Sequence, residues 1–275
     1  MTTSGQTEIG PRGRPRELYE FARGNRIWRH TSNSDTVDCL TGIYEPANVK
    51  RPTIELTPDL NRNNVVVTMD KDEEVPGLFK AGTPSDIVTI TISRVMETFT
   101  DEGASSYPTA PQVIWAGRIL AVRWSGAVAE MTCEPSSTSL KRLGLRRLWQ
   151  RPCPHVLYDP ASCKLHADSY VSDATTTAIN GNVVTVAGAG TGNAGGYLIW
   201  TSPDGQPERR MVRSEAGANL TLSYPIQGLT PNQLVKVYKG CKHNTDDCSL
   251  KGNILNYGGQ PDIPEKHPFG TNPIF

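Results

Sequence analysis

Two pairs of cysteines, far apart along the chain, constrain this sequence more than any other feature. Cys153 and Cys163 are separated by nine residues, 154–162, and Cys241 and Cys248 by six residues, 242–247. The 77 residues between the pairs, 164–240, contain short strand-like segments of their own. Each pair lies among Pro, Gly and Asp residues, which favour the turns that carry metal ligands. The pattern predicts that the four thiols meet in space as a four-thiolate site and hold the two ends of the intervening module together.

The composition is that of a turn-rich, mainly β protein without a strong overall field. The chain has 275 residues, 28 of them basic and 28 acidic, with 25 Gly and 21 Pro. The neutral balance gives no support for binding to nucleic acid or to a membrane surface. No apolar run approaches the ~20 residues of a membrane-spanning helix, and the polar start of the chain lacks the apolar core of a signal peptide. We therefore expect a soluble protein made in a cytoplasm, where reduced thiols favour metal over disulfides.

The chain is predicted to have three parts. Residues 1–16 read as a flexible arm, residues 17–150 as a β domain with one helix, and residues 151–275 as a metal-binding C-terminal module. Within that module, evenly spaced short strands at about 165–240 predict a small barrel or sandwich. Alternation and turn residues predict strands at 18–21, 26–29, 53–56, 64–68, 87–95, 112–124, 126–133, 182–186, 197–201, 209–214, 220–224 and 234–238.

The helix is predicted over about Ser136 to Gln150, after a Ser/Thr cluster suited to capping. Its leucines would face the core, and its basic residues would form a second face next to Cys153. That face is either a solvated surface, a contact for an acidic partner, or electrostatic support for an anionic cluster. The leucines are Leu140, Leu143 and Leu148; the basic residues are Lys141, Arg142, Arg146, Arg147 and Arg151.

The two remaining cysteines are not predicted to be ligands. Cys133 shares a face with Ala127, Ala129 and Met131 of a predicted strand, which favours a packing role in the core. Cys39 has no partner at ligand spacing and is predicted to lie in a polar loop.

The spacing of the cysteine pairs leaves several chemistries open. Zinc knuckles use two to four residues within each pair, so nine and six favour an iron–sulfur cluster over structural zinc. The cluster that we expect four thiolates to hold is a [4Fe–4S] cluster, whose net negative charge nearby basic groups would stabilise. Disulfides would require an extracellular particle. Three histidines, His155, His166 and His243, lie near the thiols and could replace one of them as a ligand.

Catalysis is not predicted. A pair such as Cys153 with His243 could serve a thiol enzyme, but the sequence has no nucleophile elbow, H-E-x-x-H run or paired carboxylates. The glycines at 188–192 lack the Lys-Ser/Thr of a phosphate loop. A metal that closes a long loop is better interpreted as structural, because it restricts the unfolded chain.

Several runs of the sequence resemble a family of phage proteins: the tail-tip or baseplate hub proteins of phages with long flexible tails and of gene transfer agents. The resemblance covers roughly residues 17–270, and its most specific part is the Cys-Pro-His-x-Leu-Tyr run together with the distal cysteine pair. The runs are 113–120 (VIWAGRIL), 129–135 (AEMTCEP), 144–147 (GLRR), 150–158 (QRPCPHVLY), 240–241 (GC), Cys248 and 253–259 (NILNYGG).

The resemblance implies a structural virion protein at the tail tip, and not an enzyme. It implies that Cys153, Cys163, Cys241 and Cys248 hold an iron–sulfur cluster. It further implies a ring, a homotrimer, between the distal tail protein and the central fibre or receptor-binding protein, with the tape measure protein near its lumen. No specific nucleic acid and no membrane-spanning segment belong to this expectation. The spacer 242–247, KHNTDD, departs from the Thr-rich spacer of the family, so His243 could compete as a ligand.

Overall fold

The computed structural model describes residues 13–55, 63–99, 105–107, 109–141, 144, 149–226 and 228–264. The chain divides into two compact units, Met1–Arg142 and Leu143–Phe275. Both are built mainly of β-strands, which confirms the predicted fold class. Within the described ranges, no helix has both the length and the apolar character needed to cross a membrane.

The first unit is formed around a nine-stranded sheet. Its strands are β1 (Gly13–Arg23), β2 (Arg26–Thr31), β3 (Val37–Cys39), β4 (Gly42–Pro46), β5 (Val65–Asp70), β6 (Thr89–Phe99), β7 (Ser105–Ser106), β8 (Gln112–Ser125) and β9 (Val128–Pro135). They follow the order β3-β4-β2-β1-β6-β8-β9-β5, with β7 beside β6. A single helical turn, α1 (Glu74–Gly77), follows β5.

Side chains alternate strictly between the two faces of the strands, and this alternation determines which residues form the core of the first unit. Val88, Ile90 and Ile92 are each at most 1% exposed and pack in the main cluster, as their spacing predicted. On the neighbouring strand, the consecutive residues Leu18 and Tyr19 point to opposite faces of the sheet. Tyr19 joins the main cluster and Leu18 a smaller one, so that both faces of the sheet are covered there.

Both predicted hairpins of the first unit are confirmed. β1 and β2 pair from Arg23 opposite Arg26, and Gly24 takes the left-handed backbone conformation that this two-residue turn requires. β8 and β9 pair from Ser125 opposite Val128, with Gly126 again left-handed.

The boundary of the predicted flexible arm was wrong. β1 begins at Gly13, and residues 13–16 pair with the end of β6, from Gly13 opposite Thr98 to Arg16 opposite Val95. Arg16 Nε also donates to Glu97 Oε2 at 2.7 Å. The basic, Pro-containing sequence of residues 13–16 is not typical of a strand, which is why the start of β1 was not predicted. Residues 1–12 of the predicted arm lie outside the described residues.

The predicted helix after β9 is also corrected. Residues Ser136–Lys141 form a 3₁₀ helix rather than the start of an α-helix. Leu140 is 79% exposed instead of facing the core. Arg151, the last residue of the predicted basic face, is exposed and lies outside any helix. The other leucines and arginines of the prediction, Arg142, Leu143, Arg146, Arg147 and Leu148, lie outside the described residues.

Two further expectations for the first unit fail. The strand predicted at 53–56 has no regular structure over 53–55, and Leu56 lies outside the described residues. Cys39 lies on β3 rather than in a loop, and it is buried against the smaller core cluster. Its Sγ lies 3.3 Å from Thr41 Oγ1 and 3.5 Å from the carbonyl oxygen of Gly42. The strand has only three residues and polar neighbours, which is why the sequence pattern did not indicate it.

Cys133 packs in the main core, as predicted. It is fully buried on β9, and burial raises the pKa of its thiol to about 12, so it stays protonated at neutral pH.

We expect Cys133→Ala to lower the free energy of unfolding by about 1 kcal/mol through a small cavity, without changing the metal content per chain. Urea unfolding and metal analysis check this, and a loss of metal would show that Cys133 is a ligand.

The second unit contains a closed six-stranded barrel, which confirms the predicted small barrel. Its strands are β10 (Val171–Asn180), β11 (Val183–Ala187), β12 (Tyr197–Thr201), β13 (Pro207–Ala216), β14 (Asn219–Leu222) and β15 (Leu234–Tyr238). They close in the order β10-β11-β14-β13-β12-β15. The helix α2 (Thr245–Leu250) follows the barrel.

The barrel interior holds mainly apolar side chains, together with the buried Thr176 and one ion pair. Leu198, Trp200 and Val212 fill it with at most 2% exposure. Glu208 and Arg210 also point inward from β13 and form a buried pair, with 3.0 Å between Nη1 and Oε2. The guanidinium of Arg210 lies 5.9 Å from the centre of the Trp200 ring.

Candidate metal centre

The irregular chain before β10, the chain after β15 and the helix α2 carry the predicted ligands to one place beside the barrel. Cys153 and Cys163 lie on the irregular chain that precedes β10, where turns rather than strands set the backbone. Cys241 comes three residues after the end of β15, and Cys248 lies within α2. Asn244 caps that helix by accepting a hydrogen bond from the backbone N–H of Asp247 at 2.9 Å. The cap sets where the helix begins and therefore the position of Cys248 within it.

All four predicted cysteines line a single pocket, together with two of the three predicted histidines. Cys163 and Cys248 are buried, and Cys153 and Cys241 are half-buried. The pocket residues are Cys153, His155, Leu157, Cys163, Leu165, Cys241, His243, Asn244, Cys248, Lys251, Asn253, Asn256 and Tyr257. The sequence therefore identified the residues that the fold brings together, although they are up to 95 positions apart, from 153 to 248.

Three of the four sulfurs accept N–H groups. The backbone N–H of Gly258 donates to Cys153 Sγ at 3.4 Å, and that of His243 donates to Cys241 Sγ at 3.4 Å. Asn253 Nδ2 lies 3.8 Å from Cys163 Sγ. N–H groups directed at sulfur stabilise thiolates, which are the metal-binding form of cysteine.

The two cysteine pairs are tied together by their backbones. The N–H of Cys153 donates to the carbonyl oxygen of His243 at 2.8 Å, and His243 Nδ1 lies 2.9 Å from the carbonyl oxygen of Cys153. His243 adopts a left-handed backbone conformation, φ +57°, which is uncommon for a residue with a side chain. Its imidazole therefore links two ligand loops, and its Nδ1 is engaged by the backbone rather than by a thiol.

The other two histidines have separate roles. His155 lines the pocket, and its Nδ1 lies 3.1 Å from the carbonyl oxygen of Asn256. His166 is exposed at the start of the 3₁₀ helix Ala167–Tyr170 and does not line the pocket.

The electrostatics of the pocket disfavour thiolates in the absence of a positive group. Burial raises the pKa of the Cys248 thiol, and the neighbouring Cys153 and Cys163 raise it further. Burial also raises the pKa of Cys241. Four thiolates gathered here would repel one another, so a cationic metal centre is the kind of group that would keep all four deprotonated.

The Gly-rich loop between β11 and β12 packs directly on the chain that carries Cys241. A Cβ at Gly240 would lie 1.8 Å from the carbonyl oxygen of Ala194, and one at Gly196 would lie 2.0 Å from that of Tyr238. The Gly240 N–H donates to the carbonyl oxygen of Gly192 at 2.8 Å. Gly196 and Gly240 thus permit the close backbone approach that positions Cys241, whereas a Cβ at any of the glycines at 188–192 would lie no closer than 3.3 Å to another atom.

A cluster of four tyrosines joins the barrel to the cysteine loops, and the sequence did not predict it. Tyr197 and Tyr238 stack with ring centroids 4.4 Å apart, and Tyr158 lies 6.0–6.2 Å from them and from Tyr170. Tyr158 OH donates to the carbonyl oxygen of Lys239 at 2.7 Å, two residues before Cys241. Tyr158 itself belongs to the Cys-Pro-His-x-Leu-Tyr run, which was the one signal available for it.

The donor set fits an iron–sulfur cluster in its chemistry: four thiols around one pocket, with N–H groups at three sulfurs. Within the described part of the chain, no three Cys, His, Asp or Glu side chains are placed to hold one metal ion.

Comparison with known proteins relates the chain to phage-like particles. Residues 193–267, which include Cys241 and Cys248, match the family described as phage conserved hypothetical protein BR0599. The fold is similar to that of a chain from the virion of the native gene transfer agent particle, with a TM-score of 0.70 and 18% identity. That similarity covers 98% of this chain and 94% of the other. At this identity, it shows that the two chains share a fold.

One similarity to an enzyme is also found. Homogentisate 1,2-dioxygenase of Rhodopseudomonas palustris (strain BisB18) is 27% identical over 130 residues. The match covers 44% of this chain and spans 28% of the length of the dioxygenase, so most of that enzyme has no counterpart here.

Proposed function

We propose that this chain is a structural protein of a phage-like virion, acting as the tail-tip or baseplate hub. It closes the tail tube and connects the distal tail protein to the central fibre or receptor-binding apparatus. The observation that carries the proposal is the fold shared with a gene transfer agent virion chain over 98% of the sequence. The phage family match over 193–267 supports it independently, because it includes the distal cysteine pair.

The four cysteines hold a [4Fe–4S] cluster in this proposal. When bound, the cluster supplies four metal–sulfur bonds that cross-link loops which are distant in sequence. The chain supplies the N–H groups of His243 and Gly258, which favour thiolates, and the pocket that shields the sulfurs. Structural zinc is the alternative metal for the same ligands, and either metal would lock the second unit in one geometry.

The oligomer and partners follow from the hub role. The protein assembles as a homotrimeric ring at the tail tip, after synthesis in the cytoplasm of the host bacterium. The distal tail protein lies above the ring, the fibre or receptor-binding protein below it, and the end of the tape measure protein lies near the lumen.

Deleting the gene from the phage or gene transfer agent that encodes it tests this role. We expect particles without a complete tail tip, and complementation with a tagged copy should place the tag at the distal end of the tail in negative-stain images. Tails with a normal tip from the deletion strain would contradict the hub role.

The alternative function is a metal-dependent or thiol enzyme that acts on the host envelope. It predicts that a Cys153→Ser particle assembles normally but fails in a cell-wall or membrane degradation assay. His243 Nδ1 lies 2.9 Å from the carbonyl oxygen of Cys153, so in this alternative Nε2 is the ring nitrogen that would act as the base.

A further inference from the structure

The chain after the last cysteine closes the pocket, and Asn253 is its central residue. Asn253 is 7% exposed, in contrast to its neighbours Ile254 and Leu255, which are 44% and 97% exposed. A buried amide must have its polar atoms satisfied, and the partners of this one lie on the cysteine loops.

Asn253 bonds to two cysteines that are 85 positions apart, 163 and 248. Its Nδ2 donates to the carbonyl oxygen of Cys163 at 2.7 Å and also lies 3.8 Å from Cys163 Sγ. Its backbone N–H donates to the carbonyl oxygen of Cys248 at 2.9 Å, and its carbonyl oxygen lies 3.2 Å from Cys248 Sγ. Asn253 thus contacts the backbone of the Cys163 loop and of α2, and lies close to both sulfurs.

The amide of Asn253 is itself oriented. Asn256 Nδ2 donates to Asn253 Oδ1 at 2.7 Å, which directs Nδ2 of Asn253 toward Cys163. Further along, the Gly258 N–H reaches Cys153 Sγ, and Tyr257 OH donates to the carbonyl oxygen of Arg151 at 2.7 Å. The segment 253–258 therefore contacts both ends of the first cysteine pair as well as Cys248.

We propose that Asn253 is a positioning residue of the metal centre: it sets the separation of Cys163 and Cys248 and, through Nδ2, stabilises charge on Cys163 Sγ. The inference rests on the proposed four-cysteine cluster. Groups that orient and hydrogen-bond ligands commonly change metal affinity by about 10–100-fold when they are lost. Hydrogen bonds to the sulfurs also raise the reduction potential of a cluster, because they stabilise its more negative, reduced state.

Asn253→Asp tests this most sharply, because it keeps the shape of the side chain and replaces the Nδ2 donor with an oxygen. We expect the variant, purified without oxygen, to bind the cluster but to release iron to a chelator about 10-fold or more faster than wild type. We expect its reduction potential to shift downward. Asn253→Ala should also release iron faster than wild type in the same assay. Its downward shift in reduction potential should be smaller than that of Asn253→Asp, because alanine adds no negative charge.

The control variant is Asn182→Ala, which removes a bond from an amide Nδ2 to the carbonyl oxygen of Leu222 in the barrel at 3.3 Å. It should leave the release rate and the potential as in wild type. Wild-type kinetics and potential in both Asn253 variants would overturn the inference while leaving the cluster in place. Wild-type protein that binds neither iron nor sulfide would instead overturn the cluster itself, and that result is seen before any variant is made.

Discussion

The Cys241→Ser protein should be purified with little iron or sulfide and with a destabilised second unit. Serine oxygen is a poor replacement for a thiolate ligand, and Cys241 is the proposed ligand that lies between the end of the barrel and the pocket. The proposed cluster would close the segment 164–240, and by the chain-entropy treatment of cross-links a closure of this size contributes about 4.5 kcal/mol. We expect a loss of that order in the free energy of unfolding, measured by urea unfolding without oxygen.

The same substitution should also prevent assembly of the tail tip when it is introduced into the particle. The matched control is Cys39→Ser, at a cysteine whose Sγ already has the polar partners Thr41 and Gly42, so that a hydroxyl is accommodated. The control should keep its metal and assemble. Normal iron content and fully infectious particles from Cys241→Ser would contradict the structural role of the cluster.

Gly240→Ala should be the most damaging substitution of a glycine in the second unit. The added methyl group would lie 1.8 Å from the carbonyl oxygen of Ala194, 2.5 Å from its carbonyl carbon and 2.7 Å from the nitrogen of Gly196, and these backbone atoms cannot rotate away. Either the Gly-rich loop or the chain leading to Cys241 must move, so both the barrel closure and the metal site are affected. We expect a loss of about 3 kcal/mol or more in the free energy of unfolding, together with a lower metal content.

Gly181→Ala provides the comparison for that prediction. Gly181 lies in the turn after β10 with φ +61°, and a Cβ there meets no atom within 4 Å. It should lose about 1 kcal/mol, from backbone strain alone, and keep its metal. Equal losses in the free energy of unfolding of the two variants would show that the close backbone approach at Gly240 does not add to the destabilisation.

The elements that sequence reasoning found are those with strong local patterns. The strands β12 and β15 lie where they were predicted, because their alternation and flanking turn residues are clear. β10 was missed, because its inward residues include Ala174 and Thr176 among polar neighbours, and a buried threonine resembles a loop residue. Thr176 is buried with its Oγ1 donating to the carbonyl oxygen of Thr230 at 2.7 Å, a contact 54 positions away.

The candidate site likewise contains residues that the sequence pattern indicated and residues that it did not. The four cysteines were identified because thiols in turn-rich pairs are rare and chemically distinctive. The residues that position them were not: Asn253, Gly240 and Tyr158 act through contacts with chain 46 to 90 positions away. Asn, Gly and Tyr are ordinary residues in a β protein, so only the tertiary structure shows which of them contact the cysteine loops.

The most direct test of the central claim is the content of iron and acid-labile sulfide in protein purified without oxygen, measured with its visible absorption spectrum. We expect about four irons and four sulfides per chain, with the broad brown absorbance of a [4Fe–4S] cluster. One zinc and no sulfide would contradict the cluster and leave a zinc-held site. Neither metal nor sulfide, with the thiols of Cys153, Cys163, Cys241 and Cys248 free to react, would contradict the metal centre altogether.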